Sequence, residues 1–266
     1  MKIGYIQFNP VFGEKKRNIK TILKFLDEGV QEGSELIVLP ELCNTGYVFR
    51  SKKELKSLSE DVPNGETTVA LTNFARKRQI YVVAGVCERS KRGYFNSAVL
   101  VGPNGFIDVY RKAHLFYEEK VYFSKGDNQF KVYNINKLKI GIMICFDWFF
   151  PEVTRILSLK GAHVICHPAN LVLPYCQTSL LGAAIQNKVF IVTANRIGVE
   201  RGLKFTGESQ IIDPNMKILL KSDKNSEEVQ VVEINPKIAE NKEINEYNNL
   251  FKDRRVDLFH PLIHLE

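Results

Sequence analysis

Three short segments place reactive side chains directly after runs that read as buried strands. In the first, Leu39-Pro40-Glu41-Leu42-Cys43-Asn44-Thr45-Gly46-Tyr47, a carboxylate follows an apolar run. That is costly unless the carboxylate is paired or used. The second, Tyr110-Arg111-Lys112-Ala113-His114-Leu115-Phe116, brings an ammonium to a strand end. The third, Ile142-Met143-Ile144-Cys145-Phe146-Asp147-Trp148-Phe149-Phe150-Pro151-Glu152, sets a cysteine between a strand and a helix. Such a turn presents a nucleophile well, because neighbouring backbone N–H groups can face a reacting carbonyl. Taken singly, each has an ordinary structural explanation: Glu41 as a cap or ion-pair partner, Lys112 as a solvated charge, Cys145 as a small core residue.

The elements that must position them alternate along the chain. Residues 2–8, 35–40 and 81–86 read as apolar strands, the middle one of the kind buried on both faces. Residues 14–32 carry Ile19, Ile22, Leu23, Phe25, Leu26 and Val30 at helical spacing, with Gly33 ending the helix. Residues 66–79 read as a helix with Val69, Leu71, Phe74 and Ala75 inward. Strands 94–101 and 106–111 flank the turn Gly102-Pro103-Asn104-Gly105. Strands follow at 130–135, 139–144, 163–167, 189–194, 209–213, 218–221 and 229–234. Helices are expected at 151–160, between Pro151 and Gly161, and at 175–188 and 236–247. Alternating strands and helices with interleaved hairpins indicate a mixed-sheet α/β protein. Without a linker, repeat or low-complexity stretch, one domain is expected over 1–266.

Composition excludes several classes. The 266 residues are 44% hydrophobic and 25% charged, ordinary for a globular chain. At this size the folded surface should be about 12,000 Å². No apolar run approaches the roughly 20 residues that span a bilayer, and the N-terminus lacks a signal peptide's apolar region. Five scattered cysteines without a C-x-x-C pair fit a reducing, cytoplasmic compartment. The net charge of +7 is spread over short basic clusters interrupted by acidic residues, so a mildly basic solvated surface is expected, with no nucleic acid and no membrane as partner. His163, Cys166 and His167 fall on opposite faces of a strand, poor geometry for a metal, and read as structural.

In combination the three segments resemble the nitrilase superfamily, the carbon–nitrogen hydrolases with a Glu-Lys-Cys triad. The resemblance runs from Gln7 to Phe251-Lys252-Asp253-Arg254-Arg255 and includes Tyr94-Phe95-Asn96-Ser97-Ala98 and His167-Pro168-Ala169-Asn170. It implies a four-layer α-β-β-α sandwich, a homodimer or larger homo-oligomer with the tail at 247–266 packed on a partner subunit, and neither metal nor organic cofactor. It makes Cys145 the nucleophile, Glu41 the general base and acid, and Lys112 the cation at the reacting centre. The chemistry agrees: Glu41 can take the thiol proton and return one to departing ammonia. Lys112 and the N–H of Phe146 can stabilise an oxyanion, and water then releases the acid from a thioester. The stretch Tyr117-Glu118-Glu119-Lys120-Val121-Tyr122-Phe123-Ser124-Lys125-Gly126-Asp127 resembles the family's Glu-Lys-x-x-Phe-x-Pro-Gly-Asp, with Lys125 in place of the frequent proline. That makes Glu119 a second carboxylate that positions Lys112 and substrate, with Glu118 as the alternative register. Tyr47 and Trp148, the only tryptophan, are expected to line the pocket, with core packing as the alternative for each; Asn170 is expected to contact substrate and His114 to orient its loop.

Departures from the family pattern bear on the substrate. Nitrilases of the family typically show Cys-Trp-Glu; Cys145-Phe146-Asp147 favours amides over nitriles. Carbamoyl-amino-acid hydrolases tend to carry an arginine just beyond, to clamp a carboxylate. Trp148 and Phe149 stand there instead and favour an apolar or cationic end, as in carbamoyl-putrescine hydrolases. Small aliphatic amides or carbamoyl compounds are therefore expected, with small aliphatic nitriles as the alternative, because look-alikes sharing Cys-Phe-Asp-Trp-Phe-Phe-Pro-Glu are often described as nitrilases. A non-catalytic binding protein would need a broken triad, and none of the three positions is altered. An ammonia-donating glutaminase module is usually fused to a synthetase, which this sequence does not contain.

Overall fold

The structure is a computed structural model that describes residues 1–127 and 129–262. Two six-stranded mixed sheets form its centre. The first comprises β1 (Lys2–Gln7), β2 (Leu36–Val38), β3 (Tyr81–Ser90), β4 (Gly93–Gly102), β5 (Gly105–Arg111) and β14 (Glu228–Glu233), in the order β14-β1-β2-β3-β4-β5. The second comprises β6 (Val132–Ile135), β7 (Leu138–Ile142), β8 (Val164–Pro168), β9 (Phe190–Ala194), β12 (Gln210–Ile212) and β13 (Ile218–Lys221), in the order β6-β7-β8-β9-β12-β13. A small hairpin, β10 (Val199–Glu200) and β11 (Leu203–Lys204), stands apart. Across both sheets the pairings run antiparallel, parallel, parallel, antiparallel, antiparallel.

Side-chain alternation sorts the layers. Ile3, Tyr5, Leu36, Val38 and Val83 join the core that includes Ile140, Ile142, Val164 and Cys166 of the second sheet. Their neighbours Ile6, Ile37, Val82 and Ala84 face the other way, toward Ile22, Phe25 and Leu26 of α1 (Lys15–Gln31) and Leu71 and Ala75 of α3 (Glu66–Arg78). The outer face of the second sheet is covered by α5 (Pro151–Leu159) and α6 (Cys176–Asn187). The result is the expected α-β-β-α sandwich, whose exposed surface of 12683 Å² is close to the expected value. Among the described residues no helix is long and apolar enough to cross a membrane.

Three local expectations are corrected. Val69 is 43% exposed, because α3 turns Thr67 and Thr68 inward, where both bond the buried Glu60 carboxylate. The expected helix at 236–247 shrinks to α7 (Lys237–Glu240). Beyond it, the side-chain oxygens of Asn241 and Asn245 accept from the N–H groups of Glu243, Tyr247 and Asn248, competing with helical bonding. Short helices α2 (Lys52–Leu58) and α4 (Glu119–Tyr122) lie where none was expected. In the tail, Phe251 lies under Arg155 and Lys242 of the same chain. Residues 263–266 of the tail expectation lie outside the described residues.

The strand topology brings the reactive segments to one end. Glu41 follows β2, Lys112 follows β5, Cys145 follows β7 and Asn170 follows β8. Each lies beyond the carboxyl end of its strand, where open α/β sheets place their sites. The Glu41 turn lies flat against β3: Gly85 N–H donates to the Pro40 carbonyl at 3.1 Å and its own carbonyl accepts from Cys43 N–H at 3.1 Å. A Cβ on Gly85 would fall 2.4 Å from Glu41 Cα and 2.5 Å from Leu42 N, so only glycine permits this approach. Gly85→Ala should therefore destabilise the fold by about 1–3 kcal/mol, measured by urea unfolding; an unchanged midpoint would show that the turn has room.

Candidate active site

The 3₁₀ helix Cys145–Phe149 begins beyond β7 after two intervening residues. Cys145 takes φ 41°, a left-handed conformation uncommon for a residue with a Cβ. Two buried side chains hold it there. His167 Nε2 donates to the Cys145 carbonyl at 3.0 Å, which leaves Nδ1 to accept from the Thr193 hydroxyl at 3.1 Å. Burial lowers the His167 pKa to about 4, so the ring is neutral at physiological pH. His167 thus has the structural role expected of it.

Asp147 provides the second tether. Its Oδ2 accepts from Ile144 N–H at 2.9 Å and the Tyr110 hydroxyl at 2.7 Å; its Oδ1 accepts from His114 N–H at 3.0 Å and His114 Nδ1 at 2.8 Å. One buried carboxylate therefore joins the cysteine turn to the loop that carries Lys112. The His114 ring also stacks on Phe150, with centroids 3.7 Å apart, which fits the expected orienting role.

The charged centre is compact. Lys112 Nζ donates to Glu41 Oε1 at 2.6 Å and to Glu119 Oε1 at 2.7 Å. Asn96 Nδ2 donates to Glu41 Oε1 at 2.6 Å, and the Tyr47 hydroxyl to Glu119 Oε1 at 2.6 Å. The other Glu119 oxygen accepts from Phe116 N–H at 3.3 Å. Glu41, Lys112 and Glu119 are all buried. Of the two register alternatives, Glu119 and not Glu118 reaches the lysine. Burial pushes Glu41 up to about 7, against the lowering influence of the Lys112 ammonium and with a further rise from Glu119. Burial alone would lower the Lys112 pKa, but the Glu119 and Glu41 carboxylates hold it above its ordinary range. Burial and the Glu41 carboxylate raise the Cys145 thiol well above its usual value, opposed by Lys112 and by the Asn170 backbone. The arrangement pairs a neutral thiol with a base poised near neutrality and a fixed cation.

Asn170 bridges the two sheets: its Nδ2 donates to the Glu41 carbonyl at 2.9 Å. Phe146, Trp148 and Asn170 line a small cavity at Cys145 with Phe116, Leu171 and Leu173. Tyr47 instead lines a neighbouring cavity with Glu119. Its loop is held by a buried ion pair: Arg196 Nη1 donates to Glu200 Oε2 at 2.7 Å, and Glu200 Oε1 accepts from Tyr47 and Val48 N–H. Among the described residues, no group of three or more His, Cys, Asp or Glu side chains could hold a metal ion.

Asn96, Asp147, Arg196 and Glu200 were not anticipated as site residues. Asn96 left a signal, a polar residue inside an apolar strand. Asp147 left a weaker one beside the cysteine. Arg196 and Glu200 left none, since their partners lie far away in the chain. Asn in place of Asp147 would turn an NH₂ toward groups that are themselves donors. Asp147→Asn should therefore cost about 1–3 kcal/mol of stability, read by urea unfolding; a change within about 0.5 kcal/mol would show that the tether is dispensable.

A family model described as carbon–nitrogen hydrolase matches residues 2–242. A protein named nitrilase from Pyrococcus abyssi (strain GE5 / Orsay) is 47% identical over 97% of this chain and 99% of its own. The 2-oxoglutaramate amidase of Bacillus subtilis (strain 168) is 31% identical over 97% of this chain and 98% of its own. The crystal structure of a carbon–nitrogen hydrolase from Helicobacter pylori G27 superposes with a TM-score of 0.90 at 27% identity, covering 100% of this chain and 99% of the other.

Proposed function

The chain belongs to the carbon–nitrogen hydrolase family, and on that premise we propose that it hydrolyses small, uncharged primary carboxamides, or carbamoyl compounds ending in the same NH₂, to release ammonia. One observation carries the choice of substrate. Glu41 Oε2, Asn170 Oδ1 and Asn96 Oδ1, whose Nδ2 already bonds Glu41, are buried acceptors with no donor among the described residues. Turning the Asn170 amide over would only set its oxygen against the Glu41 carbonyl, so the orientation follows from the network. Buried acceptors without donors are costly. A carboxamide supplies two N–H donors; a nitrile supplies none before it reacts.

In the proposed reaction Cys145 Sγ attacks the carbonyl carbon as its proton passes to Glu41. The carbonyl oxygen takes up the negative charge beside the Lys112 ammonium and the N–H of Phe146. That N–H belongs to the first turn of a helix, where backbone donors lack helical partners. Collapse breaks the C–N bond, Glu41 returns its proton to the nitrogen, and ammonia leaves a thioester on Cys145. Water then attacks the thioester, gives a proton to Glu41, and the acid departs as that proton returns to sulfur.

A second reading, hydrolysis of small nitriles, is favoured by the 47% identical relative from Pyrococcus. Ammonia release from matched short amide and nitrile pairs, with Cys145→Ala in parallel, separates the two. Release from amides, absent in the variant, is expected; release from nitriles alone would establish the second reading. Turnover that survives the substitution would sink the cysteine mechanism.

The pH dependence tests Glu41 as the base. With its pKa near 7, kcat/KM should rise with pH through about 7, since protonated Glu41 cannot accept the thiol proton. The Asn96 hydrogen bond lowers that pKa, so Asn96→Ala should move the acid limb upward. A limb near the unperturbed value for glutamate, about 4.3, would show that burial does not raise the Glu41 pKa, and a limb unmoved in Asn96→Ala would assign the titration to another group.

A further inference from the structure

The cavity against Cys145 measures about 20 Å³, room for little more than one water-sized group. A second cavity of about 300 Å³ lies beside it; its lining includes Tyr47, Phe49, Phe123 and Leu203 along with Glu119 and Arg201. Phe116 and Val172 line both. We propose that Phe116 and Val172 form a partition that limits the acyl chain at Cys145, and that the larger cavity is a subsite for an uncharged apolar chain once that partition is opened. The assignment of the chain to the acyl side rests on the carboxamide reading above.

The charges around the larger cavity are already committed. Glu119 accepts from Lys112, Tyr47 and Phe116 N–H. Arg201 donates to both oxygens of Glu54 at 2.8 Å and to the Val48 carbonyl at 2.9 Å. Glu118 is exposed at the rim. The cavity therefore offers aromatic and aliphatic walls and no uncommitted cation for a carboxylate-ended substrate among the described residues. Phe116 is held through its backbone: its N–H donates to Glu119 Oε2, and its carbonyl accepts from Glu119 N–H at 3.0 Å. Its ring packs on Phe146, with centroids 5.1 Å apart. Truncating the ring removes the partition and leaves both backbone bonds to Glu119 in place.

Alkylation of Cys145 reads the partition without turnover. With iodoacetamide or 2-iodohexanamide, the sulfur–carbon bond forms, iodide leaves, and the thiol proton passes to Glu41 and then to solvent. Rates come from intact-mass spectrometry, each normalised to the same reagent with free cysteine. Cys145→Ala is the control: Cys145 lines the cavity, whereas the other four cysteines have no exposed surface. Wild type should react with the long reagent at least about tenfold less readily than with the short one. Phe116→Ala should raise the long-to-short ratio by about tenfold or more, and Val172→Ala should shift it in the same direction. Phe116→Leu provides a milder variant if the alanine protein melts early by circular dichroism. A normalised ratio near one in wild type, or a ratio unchanged in every folded variant, would overturn the partition. The carboxamide reading fails separately, in the ammonia assay.

Discussion

A lysine ammonium buried between two carboxylates is the interaction on which the rest of the site depends. Burial opposes the charge on Lys112, Glu41 and Glu119 alike, and each is tolerated because the others lie within hydrogen-bond distance. The cluster holds one more negative group than positive. Glu119 receives three donors, whereas one Glu41 oxygen has none among the described residues. Burial raises the Glu41 pKa to about 7, against the Lys112 ammonium and with a further rise from the neighbouring Glu119 carboxylate. A structural ion cluster thereby becomes a group able to exchange a proton near neutrality.

The surrounding polar network serves that cluster. Arg196 pairs with Glu200, Glu200 holds the backbone at Tyr47, and Tyr47 donates to Glu119. On the other side, Asp147 ties the lysine loop to the cysteine turn, and His167 holds the cysteine carbonyl. These buried groups are bonded in sequence, so a displacement at one end alters the distances at the next. The left-handed φ of Cys145 is sustained in the same way, by neighbours that leave the residue no alternative.

Two sheets with the same pairing pattern divide the parts between them. The first supplies Glu41, Asn96 and Lys112; the second supplies Cys145, His167 and Asn170. Glu41 and Asn170 follow the second strand of each parallel trio, and the bond from Asn170 to the Glu41 carbonyl crosses between them. The two halves share no repeat legible in the sequence. Their likeness lies in strand order and direction, which many side-chain sets can satisfy.

Much was legible in the chain itself. Apolar runs and helical spacing located the sheet strands and the longer helices, because burial imposes a period of two or 3.6 on side chains wherever an element has an inner face. Glu41, Lys112 and Cys145, each beyond a buried strand, stood out as candidates, because charged or nucleophilic residues at such positions carry a cost that structure or chemistry must offset; only the resemblance of the three segments together to the nitrilase superfamily singled them out as a reactive set. The outward turn of Val69 and the loss of helix beyond Glu240 were not legible, since they depend on side-chain hydrogen bonds at Glu60, Asn241 and Asn245; short α2 did leave a signal, Ser51 three residues before Glu54, whose N–H bonds the serine hydroxyl. The choice of Glu119, which the resemblance had favoured, over Glu118, the Glu41 oxygen without a donor among the described residues, the tethers through Asp147 and Glu200, and the proposed division of the pocket by Phe116 and Val172 depended on tertiary structure. All of these depend on distances between residues remote in sequence, and only the packing of one sheet against the other sets those distances.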